Sequence, residues 1–240
     1  LKMNLADSNP TRWGLGAPGL PPYEPDPRGP RAAREALAAW LRERDKRTVN
    51  PDHLYLLSST SQGYAWLTKL TSDPGERLAA PTPGYPLVET IAGLENVGVD
   101  FYPLTWVGSR WELGDLTPGA VSAVVAINPN NPTGSYVHGE DRQRLLNYCA
   151  NHEVALIVDE VFFGFDLPAA PTRPADRQRL AGTTEVLTFA LDGMSKNLSA
   201  PGLKIAWLEV SGPGPDVAEA LARLDVIADA YLPFSDVLAG

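Results

Sequence analysis

Lys196 lies in Leu191-Asp192-Gly193-Met194-Ser195-Lys196-Asn197, a turn containing glycine and serine that follows an apolar run over residues 186–190. Most lysines are solvated surface charges, but a desolvated lysine gives up its proton readily and becomes an amine nucleophile able to condense with a carbonyl. Asp159 ends the apolar run Leu156-Ile157-Val158. A carboxylate directly after a buried strand is costly unless a cation meets it, so a salt bridge and a functional acid are both open readings there. The segment Asn128-Pro129-Asn130-Asn131-Pro132-Thr133-Gly134 follows another apolar run and reads as a stiff polar turn whose amides can face a pocket. Tyr85, in Pro81-Thr82-Pro83-Gly84-Tyr85-Pro86, is either a stacking ring for a flat ligand or a packed turn residue. Ser58-Ser59-Thr60-Ser61 precedes a helical pattern, where hydroxyls cap a helix and its first-turn N–H groups can also hold a phosphate.

Each of these segments sits where a strand pattern gives way to a turn or helix. Strand patterns are read over residues 54–57, 77–80, 97–102, 121–127, 154–158, 186–190 and 205–210, and helical patterns over 31–44, 61–70, 85–94, 140–152 and 216–230. Apolar strands without a polar alternate face, separated by helices, predict an α/β fold: a mostly parallel sheet with helices on both faces in three layers. Ligands of such sheets bind beyond the carboxyl ends of the strands. Residues 1–30 are rich in proline without either periodicity and read as an extended N-terminal arm, leaving residues 31–240 as the large domain. A proline-containing stretch over 166–176 reads as a surface excursion.

The 240 residues are 44% hydrophobic and 20% charged, enough to bury a sizeable core. Twenty basic against 29 acidic residues give a net charge of −9, which argues against a nucleic-acid or membrane-surface role and requires any anionic ligand to be caught locally. No apolar run reaches the ~18 residues of a membrane span. Cys149 is the single cysteine and reads as a small core residue on a helix; with no secretory pattern at the start, the cytoplasm is the expected setting. His53, His138 and His152 share no ligand spacing, so no metal site is expected, and no Gly-x-Ser-x-Gly elbow appears.

Taken together, the segments supply an amine, an anion cradle, a carboxylate, a hydrogen-bond donor and a stacking face, which is what an aldehyde cofactor carrying a phosphate, a ring nitrogen and a phenolic oxygen requires. In that order the set resembles the fold-type I pyridoxal-phosphate enzymes, specifically the class I/II aminotransferases. The matching residues are Asn130-Asn131-Pro132-Thr133-Gly134, Val158-Asp159-Glu160-Val161, and Ser195-Lys196-Asn197 followed by Gly202-Leu203-Lys204-Ile205-Ala206-Trp207; Asp7-Ser8-Asn9-Pro10-Thr11 is similar to the family's arm over the active site. The resemblance implies pyridoxal 5'-phosphate held as a Schiff base on Lys196, which also shuttles the proton. Asp159 would then lie on the pyridine nitrogen, Asn131 on the phenolic oxygen and Tyr85 on the ring. Ser59, Thr60 and Ser61 would lie at the phosphate, with Lys204 where the family usually has an arginine. It further implies an amino acid and a 2-oxo acid as substrates, and a homodimer.

Two residues depart from the family pattern. Phe162 stands where a tyrosine hydroxyl commonly meets the phenolic oxygen, and Gly193 where many members carry a phosphate-binding serine, leaving Ser195 as a weaker candidate. The family's smaller C-terminal domain, with its carboxylate-gripping arginine, is expected to lie outside this chain, which reads as part of a longer enzyme. Other amino-acid chemistry on the same scaffold (a decarboxylase, lyase or cyclising synthase) and a non-catalytic effector half of a transcription regulator are the alternatives.

Overall fold

A computed structural model describes residues 9–20, 22–116, 119–165 and 177–231. Its strands are β1 (Leu54–Leu57), β2 (Arg77–Thr82), β3 (Gly98–Val107), β4 (Arg110–Leu113), β5 (Ala123–Ile127), β6 (Ala155–Asp159), β7 (Thr188–Gly193) and β8 (Ala206–Ser211). They form one sheet in the order β1-β8-β7-β6-β5-β2-β3-β4. The central pairs β3–β2, β2–β5, β5–β6 and β6–β7 are parallel, while β8 runs antiparallel to both β7 and β1, and β4 antiparallel to β3. The expected mostly parallel sheet is therefore present.

Helices α1 (Arg31–Asp45), α2 (Thr60–Thr71), α3 (Leu87–Leu94), α4 (Gly139–His152), α5 (Met194–Asn197) and α6 (Gly214–Ala230) complete the fold. Every residue of β5 and β6 is buried, because successive side chains point to opposite faces and both faces are covered. Ala123, Val125 and Ile127 join the cluster built with α2, α3 and α6, whereas Val124 and Ala126 join the cluster that holds Leu145, Leu146 and Cys149 of α4. On that second side Leu37, Ala38 and Leu41 of α1 pack with Leu54, Leu56 and Trp207. Burial pushes the Cys149 thiol up to about 12, consistent with a small core residue.

Three elements differ from the sequence reading. β3 runs on to Val107 and returns as β4 through Gly108-Ser109, a two-residue hairpin loop in which Gly108 takes φ 66. The third helix starts at Leu87 and not at Tyr85, since Pro86 disfavours a helical Tyr85. β7 continues to Gly193 because Asp192 is accommodated inside the sheet, paired with Trp207, so Lys196 sits on the one-turn helix α5. In the arm, Asn9 caps a short turn at Pro10–Trp13 and Thr11 Oγ1 accepts from the Tyr23 N–H at 2.8 Å. Asp7 and Ser8, and the excursion at 166–176, lie outside the described residues. Among the described residues no helix is long and apolar enough to cross a membrane.

Candidate active site

The carboxyl ends of β5, β6 and β7 and the start of α2 open onto a cavity of about 260 Å³. Ser59, Thr60, Tyr85, Asn131, Asp159 and Lys196, six of the eight residues expected at the cofactor, all line it, together with Phe162 and the weaker candidate Ser195. Ser61 and Lys204 are not among the lining residues. Ser61 is half-buried in the first turn of α2, and Lys204 is exposed with φ 54, two residues before the lining residue Ala206.

Asp159 is 4% exposed. As the odd-numbered end of β6, it shares the face of Ala155 and Ile157, toward α2. There Tyr64 donates its hydroxyl to Oδ2 at 3.0 Å, and the Val161 N–H donates to Oδ1 at 3.1 Å. No cation pairs with Asp159 among the described residues, so the salt-bridge reading does not hold. Burial, reinforced by the neighbouring Asp192 and Glu160 charges and opposed by the Val161 and Tyr64 donors, raises the carboxyl from 3.8 to about 6. Two donors leave further acceptor positions on the carboxylate open.

Tyr64 is the residue that sequence reasoning missed. It is buried, and burial with the Asp159 charge holds its hydroxyl well above the usual value, so it stays a neutral donor. Its i, i+4 spacing from Thr60 places both on one helix face, a pattern that ordinary packing shares. Gly63 lets α2 come close enough: a Cβ there would lie 2.4 Å from Leu191 Cδ2 and 3.0 Å from Leu57 Cδ1.

Lys196 is exposed, not desolvated by the protein. Its Nζ lies 5.5 Å from the Phe162 ring centroid and has no ion pair or hydrogen bond with the described residues. The three asparagines of the stiff turn divide their work. Asn128 donates to Glu160 at 3.1 Å and accepts from the Val137 N–H at 3.0 Å, while Asn130 donates to the Pro83 carbonyl at 3.0 Å and to Thr133 at 2.9 Å. Asn131 alone of the three lines the cavity, and its side chain makes no hydrogen bond to another described residue. Ser59 caps α2, accepting from the Gln62 N–H at 3.2 Å, while Gln62 accepts from the Ser58 N–H at 2.8 Å. Capping is thus what the Ser59 side chain does, and the Thr60 and Ser61 amides, with no acceptor inside the helix, are the donors left for an anion.

The model of aminotransferase class I and II matches residues 24–232. The chain belongs to the class I and II aminotransferase family. Among curated relatives, the chain is 30% identical over 181 residues to the valine–pyruvate aminotransferase of Mycobacterium tuberculosis, covering 74% of this chain and 45% of the relative. It is 25% identical over 252 residues to the glutamate-pyruvate aminotransferase AlaA of Escherichia coli, covering 97% of this chain and 60% of the relative. The chain therefore spans about half the length of these aminotransferases. In fold it is similar to an alanine aminotransferase from Pyrococcus furiosus, with TM-score 0.77 and 20% identity over 90% of this chain and 55% of that one.

Within the family, the position of Gly193 has a local physical explanation. A Cβ at Gly193 would lie 3.1 Å from Ala206 Cβ and 3.2 Å from the Ile205 carbonyl oxygen, so β8 approaches too closely for a larger residue to fit without movement. Phe162 turns its ring to the cavity and packs edge-on against Phe165 at 5.9 Å, supplying an apolar wall in place of a hydroxyl.

Proposed function

We propose that this chain is the cofactor-binding part of a pyridoxal 5'-phosphate-dependent aminotransferase that exchanges an amino group between an amino acid and a 2-oxo acid. The observation that carries the proposal is Asp159, a buried carboxylate without a cationic partner, sharing one cavity with the unpaired amine of Lys196. The donor set fits the group: one amine, one acid, one free amide, one half-buried ring and one helix N-terminus. Pyridoxal phosphate, when bound, supplies an aldehyde carbon for amine exchange and a protonated ring that accepts electrons.

Lys196 Nζ would hold the aldehyde and is the base at hand for moving a proton at the α-carbon of the amino acid. Asp159, ionised above about pH 6, would keep a proton on the ring nitrogen. Tyr64 and the Val161 N–H fix that carboxylate in place. Asn131 would donate to the phenolic oxygen, and Tyr85 would stack. The α2 amides of Thr60 and Ser61, with the Ser59 side, would take the phosphate, while Lys204 would offer an exposed charge two residues before Ala206. Residues 31–240 form the body of this site and residues 1–30 its arm. A cytoplasmic homodimer is the setting this reading carries, on the strength of the family resemblance.

Titration of the protein with pyridoxal phosphate is expected to develop a visible absorption band that borohydride fixes at position 196, and Lys196→Ala is expected to lose both. A wild-type protein that stays colourless overturns the proposal. Discharge of the amino form of the cofactor by a 2-oxo acid separates transamination from decarboxylation or elimination on the same scaffold.

A further inference from the structure

Lys196 is exposed and unpaired, so the cavity does not itself hold it by burial or charge. Its backbone lies on α5, four residues with no side-chain cap at Gly193. A single turn has little stability of its own, because nucleating a helix costs more than one hydrogen bond returns. Besides the Met194 N–H to Ile205 carbonyl bond at 2.9 Å, what holds this turn is Asp192, the buried residue two positions before it. Asp192 Oδ1 accepts from Asn197 Nδ2 at 2.7 Å and from the Gly193 N–H at 2.7 Å, and Asn197 Nδ2 also donates to the Gly193 carbonyl at 3.2 Å. The other oxygen, Oδ2, faces Arg44 Nη1 at 3.0 Å and Arg179 Nη1 at 3.5 Å. Arg44 and Arg179 in turn both pair with Asp45, at 2.7 and 3.1 Å.

We infer that Asp192 is the positioning residue for Lys196, clamping both ends of α5 through Asn197 and Gly193 while its second oxygen is anchored in the arginine cluster on the opposite face of the sheet. The inference rests on the reading of Lys196 as the cofactor-bearing amine. An amine the protein does not enclose reaches a carbonyl reproducibly only if its backbone is fixed, and small displacements of a reacting group are expensive in rate.

The test is borohydride trapping of pyridoxal phosphate on the full chain, with each lysine quantified by peptide mass spectrometry. Lys46 and Lys69, which lie outside the cavity, serve as internal controls. Asn197→Ala removes the clamp on its α5 side without touching the arginines. It is expected to slow trapping at Lys196 by about tenfold while trapping at the control lysines is unchanged. Asp192→Asn is expected to do the same, and the double variant to be no slower than Asp192→Asn alone, since both changes break one link. Should Asp192→Asn fail to fold for want of a charge opposite Arg44 and Arg179, Asn197→Ala decides the matter by itself. Trapping at Lys196 in Asn197→Ala at the wild-type rate overturns the positioning role alone. Wild-type protein that traps no faster at Lys196 than at the controls overturns the cofactor reading and the positioning role with it.

Discussion

Asp159, the last residue of β6, and Glu160, the residue after it, are both buried, yet they meet different partners, Tyr64 for one and Arg179 with Leu180 for the other, and the protein treats them in opposite ways. Glu160 is fully engaged: Oε1 accepts from the Leu180 N–H at 2.7 Å and Asn128 at 3.1 Å, and Oε2 meets Arg179 at 3.2 Å. It belongs to a cluster in which Arg44, Arg47 and Arg179 face Asp45, Glu160, Asp192 and Glu209. Asp159 has two neutral donors and a cavity. The difference separates a buried charge matched inside the fold from one that the described residues leave incompletely matched, which is what the proposed cofactor role of Asp159 requires.

The largest effect is expected from breaking the matched side. Arg179→Met keeps much of the side-chain volume but strips Glu160 of the one ion-pair partner it has among the described residues and removes one of the two arginines at Asp192 there. Burial already raises both carboxyls, and Arg179 opposes that rise in each. Removing one partner of a buried charge cluster costs about 3–5 kcal/mol. Urea denaturation at pH 7 measures it, and a loss below about 1 kcal/mol would mean that the cluster is far better solvated than its burial indicates.

The unmatched side is expected to respond with the reverse sign. Asp159 titrates near 3.8 when unfolded and about 6 when folded, so between those values the folded state binds more protons than the unfolded one. The stability associated with that proton is fully present below pH 3.8 and is lost as pH rises through 6. Asp159→Asn abolishes the titration while keeping an acceptor and a polar partner for Tyr64 and Val161. It is expected to be neutral below about pH 4 and to stabilise the cofactor-free chain by about 3 kcal/mol at pH 7–8, at 1.36 kcal/mol per pH unit. On the proposed function the same change is expected to weaken cofactor retention, a trade of binding for stability. Thermal melts of wild type and variant across pH 4–8 check it, and curves that stay parallel refute it.

The matched and unmatched sides also differ in how much of them could be read in the sequence. Asp159, Asn131 and Lys196 were legible because each ends an apolar run or lies in the polar turn just after one, where a polar residue needs a reason. The core strands were legible for the same cause, as runs with no polar face. Tyr64 was not, since a tyrosine on an amphipathic helix looks like packing until the sheet brings Asp159 to 3.0 Å from it. Asp192 and Arg179 were not legible either: Asp192 made β7 look finished at Ala190, and Arg179 sits in Asp176-Arg177-Gln178-Arg179, a charged stretch indistinguishable from solvated surface. Burial of an ion cluster depends on contacts between residues as distant as Asp45 and Arg179, and no local pattern encodes that. The β3–β4 hairpin was passed over although Thr105-Trp106-Val107-Gly108-Ser109-Arg110-Trp111 carries its turn glycine, because a two-residue loop at a sheet edge leaves little trace in helical or buried-strand patterns.

The smallest change sharpens the comparison where both sides meet, at Gly193, whose neighbours Asp192 and Met194 lead to the arginine cluster and to the lysine turn respectively. Its backbone, φ −176 and ψ 165, is extended and suits any residue, so glycine is required by space and not by conformation. The added Cβ of Gly193→Ser would meet Ala206 Cβ at 3.1 Å and the Ile205 oxygen at 3.2 Å, contacts that a strand pair can relieve only by opening slightly. Overpacking of this kind costs about 1 kcal/mol. The expected outcome is a small drop in melting temperature with no gain in pyridoxal phosphate affinity, even though many family members carry a serine here, because the displaced β7–β8 contact also shifts Asp192 and the turn it holds. A Gly193→Ser variant that matches wild type in stability and binds the cofactor more tightly would show that β8 yields freely, and that the serine's hydroxyl was missing from the cradle and not excluded from it.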